Sequence, residues 1–211
     1  MALIHRAQLV PSKIEMLRHW VPDQPWTLDV DTAALHVLGA YRFDDPDGEV
    51  GVETHVLGAD DGRVLQVPVT YRGAPLAGAE SALITTMEHS VLGTRWVYDA
   101  CADPVYATAL LTAILTGAAQ AELEYANPAD AEGREVTTRV RGSGTPGTAV
   151  PVLSAVGVTN GRSTTTVRSG GVEVEVVRVI DAGPPPGEAP VLVGTWPGRE
   201  ESALLGTARL R

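Results

Sequence analysis

MEHSVLGTRWVYDACADPVYATALLTAILTGAAQAELEY, residues Met87–Tyr125, decides how this chain reads. It divides into a loop, a strand, a tight corner and one long helix. Arg95-Trp96-Val97-Tyr98-Asp99-Ala100 alternates large and polar side chains, the pattern of a half-buried strand. Asp103-Pro104 is a helix start. The carboxylate caps open backbone N–H groups, and proline at the first helical position gives up only an N–H with no partner there. From Val105 the apolar residues recur at helical spacing, with Leu110, Ile114 and Ala118 in line and Tyr106, Leu111 and Leu115 widening the stripe. No second long helix is readable, and every other strong signal is β. The expected fold is α+β: a curved antiparallel sheet wrapped around one long helix, followed by a smaller, mostly antiparallel β subdomain.

Upstream, the apolar run Ala2–Val10 suits a strand. Ser12 followed by Glu15 has capping-box spacing and predicts one or two helical turns through Trp20. Two prolines within Val21–Trp26 exclude regular structure there. Leu35–Phe43, Val50–Leu57 and Arg63–Tyr71, joined by turn-rich Asp44–Gly48 and Ala59–Gly62, predict an antiparallel meander. A loop at Gly73–Gly78 leads through Ala79–Thr86 into the central stretch.

Downstream, Asn127-Pro128 to Gly133 breaks the chain, and Glu135–Arg141 alternates again. Gly142–Gly147 reads as a flexible joint. Val150–Val158, Ser163–Arg168, Val172–Ile180, Val191–Trp196 and Leu204–Leu210 read as strands, with a rigid loop at Gly183–Gly187. Two subdomains are expected, residues 1–125 and 134–211.

At 211 residues, with 44% hydrophobic and 20% charged side chains, the composition is that of a globular protein with a proper core. A formal charge of −10 argues against sequence-independent binding to nucleic acid or anionic membrane. Lys13 is the only lysine. Cys101 is the only cysteine, so an internal disulfide and a thiolate metal cluster are both excluded. No run approaches membrane-spanning length and no leader pattern opens the chain, which predicts a cytoplasmic protein.

The remaining motifs read as structure before chemistry. Gly142-x-Gly144-x-x-Gly147 matches a dinucleotide fingerprint by letters, but a strand follows it where the motif requires a helix. Asp44, Asp45, Asp47 and Glu49 lack calcium-loop spacing and read as a solvated hairpin tip. The histidines at 5, 19, 36, 55 and 89 have no metal-ligand spacing. His89-Ser90 with Asp99 holds the ingredients of a triad, without a nucleophile elbow. Trp96, Tyr98 and Tyr106 are able to stack on a sugar ring, though a chain with one Phe needs those rings in its core.

Tyr71-Arg72-Gly-Ala-Pro-Leu76, Met87-Glu88-His89-Ser90-Val-Leu-Gly93, Arg95-Trp96-Val97-Tyr98-Asp99 and Asp103-Pro104 together resemble the N-terminal cap domain of actinobacterial maltokinases, over roughly residues 1–125. The opening Ile4-His5-Arg6-Ala7 and Pro11-Ser12-Lys13 fit the same pattern. The resemblance implies a cystatin-like sheet holding one helix, set ahead of a bilobal kinase of aminoglycoside-phosphotransferase type. The rest of the chain resembles the upper lobe of such a kinase. There Val156–Val167 would be the nucleotide turn with its strands, and Val172–Ile180 the strand that carries a phosphate-holding lysine. Glu173, Val174 and Glu175 occupy that position, and a carboxylate there repels a triphosphate.

These 211 residues also contain no catalytic-loop Asp followed by Asn and no metal-binding Asp motif. The expectation is a non-catalytic binding or regulatory module of storage-carbohydrate metabolism, with no cofactor, metal or catalytic residue. Its partner would be a protein or a small sugar. The alternative is a subunit or fragment of a sugar kinase or glucan-modifying enzyme completed by another chain, or a sensor of a sugar or sugar phosphate. Candidate ligand contacts are Arg72, His89, Arg95, Trp96, Tyr98 and Asp99. Arg72 and Arg95 are the cations suited to phosphate or hydroxyl groups.

Overall fold

The computed structural model describes residues 3–4, 7–122, 124–125, 137–180 and 188–211. Its elements in order are β1 (Leu3–Ile4), β2 (Leu9–Val10), α1 (Lys13–Trp20), β3 (His36–Phe43), β4 (Gly51–Gly58), β5 (Val64–Arg72), β6 (Leu83–His89), β7 (Gly93–Asp99) and α2 (Pro104–Thr116). After α2 come β8 (Glu124–Tyr125), β9 (Arg139–Gly142), β10 (Gly157–Asn160), β11 (Thr164–Ser169), β12 (Val172–Val177), β13 (Val179–Ile180), β14 (Val191–Trp196) and β15 (Arg199–Leu210). Short 3-10 turns at Val21–Asp23 and Pro25–Thr27 replace the expected loop.

The predicted meander is present as β3-β4-β5. It lies in a curled antiparallel half-barrel with strand order β2-β6-β7-β5-β4-β3. A second sheet runs β10-β11-β12-β15-β14-β9. Strand alternation gives the first sheet two apolar faces. Leu57, Leu65, Val67, Val69, Met87 and Val97 pack on one side against Met16, Leu17, Val21 and Trp26. Tyr41, Phe43, Val52 and Val56 face the other way, into a core shared with α2 and the second sheet.

The sheet is therefore not wrapped around one long helix. Two short helices are described, α1 of 8 residues and α2 of 13. The small α1 covers the face of the first sheet that α2 was expected to fill. The capping box forms as predicted: Ser12 Oγ accepts from the Glu15 N–H, and the Glu15 carboxylate accepts from the Ser12 N–H at 2.9 Å. Asp103 caps α2 through the Val105 N–H at 3.0 Å. The helix then stops at Gly117, whose left-handed φ of 71° closes the last turn and leaves Ala118 exposed. No residue of α2 is exposed, because apolar side chains surround its axis and it lies between two sheets.

The expected flexible joint is instead a packed contact. Gly144 N–H donates to the Ile114 carbonyl at 2.9 Å and Thr145 N–H to the Leu115 carbonyl at 3.0 Å, satisfying carbonyls left open at the end of α2. A Cβ at Gly142 or Gly144 would collide with the Ala113 or Leu115 carbonyl, so only glycine permits this approach. Other boundaries also differ. Leu83–His89 is a strand where a loop into the centre was expected, and of Val150–Val158 only the end enters β10. Gly183–Gly187, all of Asn127–Gly133 and the start of Glu135–Arg141 lie outside the described residues.

The predicted strand Val172–Ile180 breaks at Arg178. Arg178 N–H donates to the Ser163 carbonyl at 2.7 Å, while its carbonyl accepts from Gln66 N–H at 2.8 Å. The chain thus crosses from the second sheet to the first, where β13 pairs with β5 through Val179–Leu65 and Ile180–Val64. It takes the stretch of β5 next to that used by β7, which pairs with Val69–Arg72.

Candidate functional site

The six candidate contacts are divided between the two faces of the first sheet. Arg72 and Trp96 are opposite each other across β5 and β7, as are Thr70 and Tyr98, so Arg72, Trp96 and Tyr98 share a face. Arg95 and Asp99 alternate with them, on the side of buried Val97. Arg72 turns its guanidinium inward: Nε and Nη2 each donate to Asp103 at 2.7 Å. Those bonds to the Asp103 carboxylate raise the Arg72 pKa and fix the fork that a phosphate would need. Tyr98 Oη accepts from the Leu76 N–H at 2.9 Å and ties down the loop before β6. His89 Nδ1 accepts from the Val91 and Leu92 N–H groups at 3.2 and 3.0 Å, shaping the β6–β7 turn. Arg95 donates to the Leu92 carbonyl in that same turn.

Asp99 has a partner that sequence reasoning missed. Arg178, 0% exposed, donates through Nη2 to both Asp99 oxygens at 2.6 Å and through Nε to Thr165 Oγ1 at 2.8 Å. Its guanidinium lies 5.2 Å from the centre of the Trp26 ring, within cation–π range. Burial alone would lower the Arg178 pKa, but the Asp99 carboxylate outweighs it and raises the pKa, so the side chain stays charged. Gln66 reinforces the crossing: its Oε1 accepts from Tyr41 Oη at 2.7 Å, and its Nε2 donates to the Val177 and Leu205 carbonyls at 2.7 and 2.8 Å. The one available signal was a lone arginine inside Val176-Val177-Arg178-Val179-Ile180, since a cation in an apolar run calls for a buried carboxylate.

A second ionic cluster sits under α1. Glu53 receives Lys13 Nζ at 2.6 Å and Arg42 Nη2 at 3.2 Å, and His55 Nε2 lies 3.6 Å away. Burial pushes the Glu53 pKa up, but Lys13 and the other cations around it win and hold it well below the usual carboxylate range. His55 is lowered to about 4, chiefly by burial, and is neutral near pH 7. Cys101 is buried, and its thiol is pushed up by that burial, which makes it inert as a nucleophile. Among the described residues no three His, Cys, Asp or Glu side chains are placed to hold a metal ion. No helix of the described residues is long and apolar enough to cross a membrane.

The described residues also form a cleft of about 530 Å³ along α2. Phe43 and the β3–β4 hairpin form one wall, Val152 and Leu153 the other, and Val105, Ala109 and Thr112 line the helix side. Its hydroxyls are engaged: Thr108 Oγ1 accepts from the Leu153 N–H at 3.1 Å and Thr112 Oγ1 donates to the Thr108 carbonyl at 2.7 Å. Asp45 is likewise committed to the hairpin, accepting from the Asp47, Glu49 and Val50 N–H groups. Sequence reading described that hairpin tip as solvated, but not the cleft behind it.

These features define a β-rich α+β module with an apolar cleft and with its main polar clusters turned inward. Residues 20–103 match the protein family described as the maltokinase N-terminal cap domain. No curated protein matches the sequence. Among solved structures the chain is similar to a glucosamine kinase in complex with glucosamine, ADP and inorganic phosphate, at 13% identity and a TM-score of 0.45. That likeness covers 95% of this chain and 41% of the kinase, so the chain spans about two fifths of that protein's length.

Proposed function

We propose that this chain acts as a non-catalytic accessory module in maltose or glucan metabolism, working through a protein partner. The cap-domain match over residues 20–103 is the observation that carries the reading. The strand that in an upper kinase lobe would present a phosphate-holding lysine supports it. On β12, Val172, Val174 and Val176 point into the core, while Glu173 pairs with Arg168 and Arg211 at 2.9 and 3.1 Å. Arg178, the next cation along, is spent on Asp99. Neither offers a positive charge to a nucleotide. The candidate contacts Arg72, Tyr98 and Asp99 hold the fold, which leaves a partner surface as the working feature.

A thermal-shift screen against ATP–Mg, maltose, trehalose, glucosamine, glucose phosphates and short glucans tests this. A ligand at ~100 times its Kd adds about 2.7 kcal/mol to stability. The accessory reading predicts no shift, together with co-purification of a protein partner; a partner that carries a lower kinase lobe would replace it with the subunit of a divided enzyme. A clear shift with ATP–Mg would contradict it, and a sugar-phosphate shift lost in R95A would replace it with a sensor.

A further inference from the structure

We propose that the cleft along α2 is a docking groove for a segment of a partner protein that presents a row of large apolar side chains flanked by lysine or arginine. The inference rests on the accessory reading and specifies its partner. Shape comes first. The lining follows α2 from Pro104 to Ala113, about 15 Å at ~1.5 Å per residue, and continues past the helix end to Ala121. A trough of that length fits a peptide segment better than a single sugar ring.

Chemistry points the same way. Sugar recognition needs several converging donors and acceptors, yet the Thr108 and Thr112 hydroxyls on the helix side are already bonded within the protein. Ala109 and Thr112 are small enough to admit a partner's side chains. Val152, 84% exposed, stands at the lip of the opposite wall. Such an apolar centre with a charged edge is the usual anatomy of a protein contact. The edge here is acidic: Asp44 and Asp47 are exposed at the hairpin, and the chain as a whole carries −10. That field favours basic flanks and opposes a second copy of this chain, which would bring its own acidic hairpin.

The probe is a fluorescein-labelled amphipathic helical peptide with Leu at positions i, i+3, i+4 and i+7 and Lys elsewhere, read by anisotropy beside its Glu-for-Lys counterpart. The expected result is binding of the Lys peptide, at least about tenfold weaker binding of the Glu peptide, and weakening with added salt. Ala109→Trp, which fills the groove, is expected to abolish binding. Val152→Asp, at an exposed position, gives the same loss without risk to the core. Asp44→Asn with Asp47→Asn should weaken the Lys peptide roughly threefold.

No binding of the Lys peptide, equal binding of both peptides, or wild-type affinity in both Ala109→Trp and Val152→Asp would overturn the assignment. A dimer in sedimentation that Val152→Asp dissolves would also overturn it, by giving the groove to a second copy. Co-purification separates this inference from the accessory reading. If Val152→Asp and wild type recover the same partner protein equally, the reading stands and the groove is removed from it.

Discussion

The two buried ionic clusters look alike in composition and differ in what they tie together. Glu53 gathers Lys13, Arg42 and His55, all within the first part of the chain, and pins the start of α1 to β4. Its cations keep contact with water, the Lys13 and Arg42 side chains being 31% and 21% exposed. Asp99 and Arg178 are 79 residues apart, and Arg178 is fully enclosed. That pair fastens β7 of the first sheet to the turn where the second sheet hands its chain across. The lesson is that burial and sequence separation, more than the number of charges, decide what an ion pair controls.

Breaking the enclosed pair should have the largest effect. Asp99→Asn leaves a buried, charged Arg178 without its counter-ion and is expected to cost roughly 3–5 kcal/mol in chemical denaturation. Asp99→Asn with Arg178→Met should recover part of that loss, because no charge is then stranded. A double variant as unstable as the single one would mean that Arg178 acts through its packing on Trp26 and its bond to Thr165.

The half-open cluster should respond to pH before it responds to mutation. His55 takes a proton at about pH 4 in the fold against 6.5 in the unfolded chain, so the unfolded state binds more protons between those values. Stability should therefore fall as the pH drops from about 6.5 to about 4, by up to ~3 kcal/mol, and level off for this group below that. Glu53, with its pKa held down, adds a further loss once the pH falls below the ordinary carboxylate range. His55→Gln should flatten the slope between pH 6.5 and 4, measured by denaturation across pH; an unchanged slope would place the titration elsewhere.

Glu53→Gln at neutral pH is expected to cost less than Asp99→Asn, about 1–2 kcal/mol, since Lys13 and Arg42 can turn to solvent. An equal cost would erase the contrast between the clusters. Smallest of all, Ser12→Ala removes one half of the α1 capping box and should cost about 1 kcal/mol.

Local signals were legible in the sequence and long-range ones were not. Ser12 with Glu15 and Asp103 with Pro104 set both helix starts, and the hairpins of β3-β4-β5 follow from turn chemistry within a few residues. The length of α2 was misread because the run Gly117-Ala118-Ala119 reads as either helix interior or helix end. The left-handed Gly117 and the Gly142–Thr145 backbone packed on it decide which. Arg178 stands in the sequence as a lone cation in an apolar run, because its partner depends on a crossing that no spacing encodes. The cleft draws its walls from the β3–β4 hairpin, α2 and the Val152–Leu153 loop, so periodicity within any one of them does not reveal it. Arg72 invites a functional reading as a cation suited to phosphate, and Asp99 as a carboxylate with the ingredients of a triad. Their bonds to Asp103 and Arg178 explain those charges structurally.

The interlock makes one demand that is open to direct measurement. If Arg178, Gln66 and β13 join the two sheets as described, the sheets should unfold together. Amide hydrogen exchange read by mass spectrometry across a denaturant series follows each sheet separately. The expected result is loss of protection in β4–β5 and β11–β12 at the same denaturant concentration, with Asp99→Asn moving both midpoints down equally. Loss of protection in β11–β12 while β4–β5 remain protected would contradict the interlock.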